Sequence, residues 1–188
     1  MSKTEYPVYS YRWVVLAVFM AVNLTIQILW ISYAPVTSRA AQVYGVTDLE
    51  IGVLAMSFML AFIPFSIPAS WVIDTSGFRI GVGIGVILMS IGGLLRGFAG
   101  TDYAVVLLAT IAIAVAQPFL LNAWTKVPAN WFAVEERATA VGLVTLANLV
   151  GTAIGMVVTP VLSETLDIPT IQLIYGGVTA ASAVLFLV

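Results

Sequence analysis

Long apolar runs separated by short polar connections cover residues 13–36, 49–73, 80–98, 103–127, 138–162 and 170–188. Each run can cross a bilayer, which takes roughly 20 residues at about 1.5 Å per residue. The pattern predicts an all-α membrane protein of six transmembrane helices. Residues 1–12 form an N-terminal segment and 13–188 the bundle. The longest connection, 37–48, leaves no room for a soluble domain. The last run continues to Val188 with no charged residue after Asp167, which reads as a fragment; a natural six-helix protein with a minimal last span is the alternative.

Composition agrees with the pattern, since 61% of the residues are hydrophobic and 9% charged, against about 45–50% and about 25% in soluble domains. With no Cys and no His there is no thiol nucleophile, no disulfide, no imidazole base and no zinc or haem site of the usual ligand types. An enzyme is therefore not expected, and neither is a cofactor. The net charge of −2 provides no basic stripe for nucleic acid. Lys3 and Arg12 precede the first run as in a signal peptide, but that run far exceeds the roughly 7 to 15 residues of a cleaved core. It reads as a retained helix.

Positive residues set the orientation. With a cytoplasmic N-terminus, that side holds Lys3, Arg12, Arg79, Lys126 and Arg137, and the other side only Arg39 and Arg96. A multi-pass protein of the cell membrane with both ends inside follows.

Polar residues within spans carry the next information, because hydrocarbon offers them no partners. Asn23, Gln27 and Trp30 share one face of the first helix. Gln117 and Trp124, seven residues apart, are expected on one face of the fourth, and Thr145, Asn148 and Thr152 align on the fifth. Three such faces predict a common polar cavity, where interhelical packing bonds would need only pairs. No ionisable residue falls near mid-span. Arg96 and Lys126 lie close enough to helix ends to reach the headgroups, so this half is expected to offer neither a buried carboxylate nor a cation.

Pro64, Pro68, Pro118 and Pro160 predict kinks. Gly81, Gly83, Gly85, Gly92, Gly93 and Gly97, with Gly151 and Gly155, read as close-packing faces rather than a nucleotide loop.

The connection SWVIDTSGFR at 70–79 resembles the signature between helices 2 and 3 of the major facilitator superfamily, through Asp74, Gly77 and Arg79. Ser70, Thr75 and Phe78 depart from its usual form. WFAVEER at 131–137, followed by Ala140 and Gly142, resembles that family's junction between helices 4 and 5. Gly77 permits a left-handed turn, and Asp74 and Arg79 are expected to exchange charge with Glu135, Glu136 and Arg137 as a gate; solvated loop charge is the alternative.

A closer resemblance, over about residues 11–162, is to the feline leukaemia virus subgroup C receptor family of transporters. It is carried by YRWVVL at 11–16, WISY at 30–33, YGV at 44–46, MSFMLAFIP at 56–64, PASWVID at 68–74, Ala116-Gln117 and Asn148. That family has twelve helices in two six-helix halves and carries choline and ethanolamine, with haem an older assignment. The resemblance implies that this chain is the N-terminal half, built of two inverted three-helix repeats. It also implies that Trp30 packs on the substrate ammonium and that Met59, Gln117 and Asn148 complete this half of the site. Asn122, Ala123 and Trp124 depart from the family.

The residue types suit such a ligand on their own. A quaternary ammonium donates no hydrogen bond and is held by aromatic faces, while an amide can serve a hydroxyl. For Trp30 the alternative is an interfacial belt, since it follows Trp13 by 17 residues, or about 26 Å along a helix. The expected protein is thus half of a secondary transporter that moves a small polar or cationic metabolite by alternating access. Its partners would be the bilayer, the solute, and a second six-helix half or a second copy. Another facilitator cargo, an organic anion or a vitamin such as pyridoxine, is the alternative, and a six-helix scaffold or receptor the alternative of a different class.

Overall fold

The computed structural model describes residues 9–188; Lys3 and the rest of 1–8 lie outside the described residues. Among these the chain forms helices α1 (Arg12–Ile31), α2 (Thr37–Tyr44), α3 (Asp48–Ser76), α4 (Phe78–Phe98), α5 (Tyr103–Leu121), α6 (Lys126–Trp131), α7 (Val134–Ser163) and α8 (Ile168–Leu187). Six stretches are long and apolar enough to span a membrane, with α1 and α2 forming one and α5 and α6 another. The bundle has a near face, where α1 begins, and a far face, where it ends.

Helix limits follow from local chemistry. Thr47 and Glu50 form a capping box at the start of α3, and Asp102 and Asp167 accept from backbone N–H groups opening α5 and α8. The first apolar run does not continue as one α-helix, because Pro35 has no N–H to offer Ile31 four residues earlier. The chain passes through turns and the 3-10 segment Ala34–Val36 before α2 resumes where the sequence suggested a connection. The fourth run also divides. After α5 ends at Leu121, residues 122–125 form turns, so Trp124 is not on the face that carries Gln117. Instead, its Nε1 donates to the Val141 carbonyl of α7 at 3.3 Å. Pro64, Pro68, Pro118 and Pro160 all lie inside helices.

Helix pairing has an internal symmetry. α1 packs on α7 and α8, α5 on α3 and α4, and α4 on α8. Exchanging α1, α3 and α4 for α5, α7 and α8 converts the first set of contacts into the second and maps α4–α8 onto itself. Two three-helix repeats pair in this way.

Glycines set the approach distances. A Cβ on Gly151 would collide with the Leu24 carbonyl oxygen, and one on Gly155 with an Ile31 methyl, so α7 presses closely on α1. On α4, a Cβ on Gly97 would collide with Leu173 Cα and one on Gly92 would meet the Ala109 oxygen at 2.8 Å, while Gly176 of α8 faces Gly93 backbone to backbone. Gly83 touches little. Without a hydrophobic drive between helices inside lipid, such close contact is a main source of cohesion.

Gly151→Ala should therefore force α1 and α7 apart and cost about 1–3 kcal/mol. Gly142→Ala, on the same helix with nothing within 4 Å, should be neutral or stabilising by up to about 1 kcal/mol through helix propensity. Thermal unfolding of both variants in detergent, with equal losses, would refute a backbone contact at Gly151.

Candidate functional site

α1 carries the chemistry because it packs between α7 and α8 with α5 beside it. Asn23 is fully buried, Gln27 is 9% exposed, and Trp30 is half-buried against the apolar core. Gln27 Nε2 donates to Asn148 Oδ1 on α7 at 2.8 Å, and Asn148 Nδ2 donates to its own Val144 carbonyl at 2.9 Å. This bond joins two of the three polar faces. Asn23 Nδ2 donates to the Phe19 carbonyl, while its Oδ1 is buried without a partner among the described residues. Thr145 and Thr152 turn back to the carbonyls four residues earlier.

Gln117 of α5 is buried, yet its side chain makes no hydrogen bond among the described residues. It sits four residues before the end of α5, as Gln27 sits four residues before the end of α1. Met59 stands apart, 69% exposed on α3 and outside the core cluster. A shallow cavity of about 390 Å³ opens at the far face between Ala34–Arg39 and Pro160 and Ser163, and none of the predicted site residues lines it.

Arg96 corrects the expectation that it reaches the headgroups. It is 1% exposed on the interior face of α4. Its Nη2 lies 2.9 Å from the Leu29 carbonyl, 2.8 Å from Ser32 Oγ and 2.7 Å from Gln172 Oε1 of α8. The guanidinium lies 4.8 Å from the centroid of the Tyr33 ring, and Tyr33 shares a 2.9 Å hydroxyl bond with Tyr44 of α2. The bundle does hold a buried cation. The overlooked signal was helical phase, since Arg96 follows Gly85, Met89 and Gly92 at steps of three and four along a buried face.

At the near face the charges pair differently from expectation. Asp74 Oδ1 meets Lys126 Nζ at 2.6 Å, joining the α3 end to the start of α6, with both side chains about half exposed. Glu136 meets Arg12 at 2.8 Å, and Arg12 also lies over the Trp13 and Phe132 rings. Arg137 donates to the carbonyls of Phe132 and Ala129, closing the turn between α6 and α7. No salt bridge to Arg79 occurs among the described residues. Gly77, at φ +88°, makes the reversal between α3 and α4 that a side chain would strain. Exposed pairs of the Asp74–Lys126 kind contribute about 0–1 kcal/mol.

Among the described residues, no three His, Cys, Asp or Glu converge to hold a metal ion. What the interior offers is amides, hydroxyls, aromatic rings and the Arg96 guanidinium. Six apolar spans in two repeats, with amides buried between the leading helix of one repeat and the second helix of the other, define a polytopic membrane bundle with a polar interior.

Comparison with known proteins agrees. The chain belongs to the Major Facilitator Superfamily, whose model matches residues 13–188. It is 33% identical over 153 residues to the choline/ethanolamine transporter FLVCR1 of Felis catus, a match covering 80% of this chain and 27% of that protein. It is 31% identical over 192 residues to solute carrier family 49 member A3 of Danio rerio, covering 98% and 40% respectively. To the choline/ethanolamine transporter FLVCR2 of Homo sapiens it is 28% identical over 158 residues, covering 83% and 30%. The chain thus spans 27% to 40% of the length of these relatives.

A double-mutant cycle of Gln27→Ala and Asn148→Ala, read by unfolding in lipid, should give a coupling of about 0.6–1.7 kcal/mol, the range for interhelical bonds within membranes. Additive losses would show that the two amides do not hold each other.

Proposed function

We propose that this chain forms one six-helix half of a secondary transporter that binds choline or a similar small ammonium compound between α1, α5 and α7. The observation that carries this is the buried Gln27–Asn148 pair on α1 and α7, with Trp30 three residues from Gln27 and the unbonded Gln117 amide on α5. The names of the similar transporters in cat and man support the same cargo. Trp30 would face the ammonium, Gln117 and Asn148 a hydroxyl, and Met59, lying outside the cluster, would serve only where a second bundle closes over α3.

An organic anion is the second reading: the buried cation Arg96 has its Nη2 occupied by three acceptors, while its Nε has no partner among the described residues. The second bundle, a further six-helix half or a second copy, would meet α3 and α7, which leave large apolar side chains such as Ile63, Ile67, Leu149 and Val157 uncovered. Alternating access would rock one bundle against the other around a fixed central site.

The near face, in this reading, is cytoplasmic in the cell membrane. Arg12, Arg79, Lys126 and Arg137 lie there, and with Arg96 buried only Arg39 among the described residues remains as a surface cation opposite. Asp74, Gly77, Arg79, Glu136 and Arg137 would make up the cytoplasmic gate, with Lys126 and Arg12 as the paired cations.

Three measurements test this. The chain has no cysteine, so Thr75→Cys is a single reporter. It should react with an impermeant thiol reagent only from the cytoplasmic side, and labelling from outside would reverse the topology. With both bundles present, Trp30→Ala should weaken choline binding by about 1–2 kcal/mol, roughly 5-fold to 30-fold, with partial recovery in Trp30→Phe. Unchanged affinity would return Trp30 to the interfacial belt. Asp74→Asn should shift the balance of inward-facing and outward-facing states while leaving intrinsic affinity nearly constant. An unaltered distance distribution across the near face would remove Asp74 from the gate.

A further inference from the structure

We infer that Arg96 is a positioning residue for Trp30, acting through the broken end of α1. This rests on the reading of Trp30 as a substrate contact, and its test separates the two.

Trp30 lies in the last turn of α1, which ends at Ile31. Backbone bonds run out there: Pro35 cannot donate to the Ile31 carbonyl, and the turn residues 32 and 33 precede a 3-10 segment. A terminal turn of this kind frays when nothing holds it. Here Arg96 Nη2 reaches the Leu29 carbonyl at 2.9 Å and Ser32 Oγ at 2.8 Å, the residues that bracket Trp30 in the chain. The same nitrogen reaches Gln172 Oε1 of α8 at 2.7 Å, so α1, α4 and α8 meet at one atom.

Two features make this more than packing. No carboxylate pairs with Arg96 among the described residues, and a buried cation without a counter-ion is expensive to keep. Its charge is instead met by the carbonyl end of α1, which carries a partial negative charge of about half a unit. The guanidinium is held by the very backbone it fixes. Gly93 and Gly97 flank it on α4 and bring α8 to backbone contact, so the chain leaves room for little besides the guanidinium plane, which stacks on Tyr33.

The test uses the 188-residue chain in lipid nanodiscs, labelled with 5-fluorotryptophan and read by fluorine NMR. Trp30→Phe assigns the Trp30 line, and Trp13, Trp71, Trp124 and Trp131 serve as internal controls. In Arg96→Met the Trp30 line should shift and broaden or double while the other four hold. Arg96→Lys should move it back toward wild type, because one ammonium carries three donors for the same three acceptors. Should Arg96→Met fail to fold, Ser32→Ala and Gln172→Leu each remove one of those acceptors and should move the Trp30 line the same way by less. A Trp30 line unmoved in folded Arg96→Met, or in both fallback variants, overturns the proposal; so do five lines moving together, or an Arg96→Lys spectrum no closer to wild type. Choline titration of the wild-type chain with the second bundle present is a separate arm. A Trp30 line insensitive to choline would count against the substrate reading while leaving the Arg96 result to stand on its own.

Discussion

Hydrocarbon supplies neither donors nor acceptors, so a spanning chain must satisfy its own backbone wherever a helix stops. This bundle interrupts two of its spans and answers each interruption with long-range side-chain bonds. At the far end of α1 the Leu29 carbonyl is taken by Arg96 of α4. At the end of α5, Asn122 Nδ2 donates to the Ser66 carbonyl and to the hydroxyls of Ser66 and Ser70 on α3, while Trp124 reaches α7. The end of α7 receives Arg39 at the Ser163 carbonyl. Each interruption is therefore also a link between helices. Moving a helix end would leave a carbonyl bare in lipid, which keeps the interrupted geometry in place.

The interruptions obey the repeat symmetry. α1 and α5 correspond, each carries a glutamine four residues before its end, and each is followed by a short helix. An amide from the α1 region bonds α7 through Gln27 and Asn148; one from the α5 end bonds α3 through Asn122. The equivalence is incomplete at one place. Gln27 has a partner and Gln117 has none among the described residues, so two glutamines equivalent in position differ in bonding, and the proposed site uses the unbonded one.

Much of the architecture was legible in the chain. Six apolar runs gave six spans, and glycines at steps of three and four marked faces where backbones touch, as Gly151 and Gly155 do against α1. Motif residues around Asp74 and Arg137 pointed to the superfamily before any helix was placed. What hydropathy could not show was the end of a helix inside an apolar run. Pro35 and Asn122 stop α1 and α5 within stretches that remain hydrophobic, and the α2 helix and the displacement of Trp124 follow from those stops. Arg96 was misjudged because distance from a helix end was weighed above helical phase. The pairings Asp74–Lys126 and Arg12–Glu136 join elements far apart in sequence, and several combinations of the same charges satisfy the same loops.

The buried guanidinium also bears on how a cation could bind in this bundle. A bare positive charge beside the site would repel an ammonium through a medium that screens poorly. Here the α1 carbonyl end and the Tyr33 ring face the guanidinium and lower its potential on their own side, while its unit charge remains. Aromatic attraction acts within about 6 Å of the ring, so in the proposed reading an ammonium would be held by contact with Trp30 against that repulsion. With no buried carboxylate among the described residues, such a ligand would in the proposed reading be bound by contact alone. Contact binding would be lost when one wall moves away, which is what release requires in the proposed alternating-access cycle.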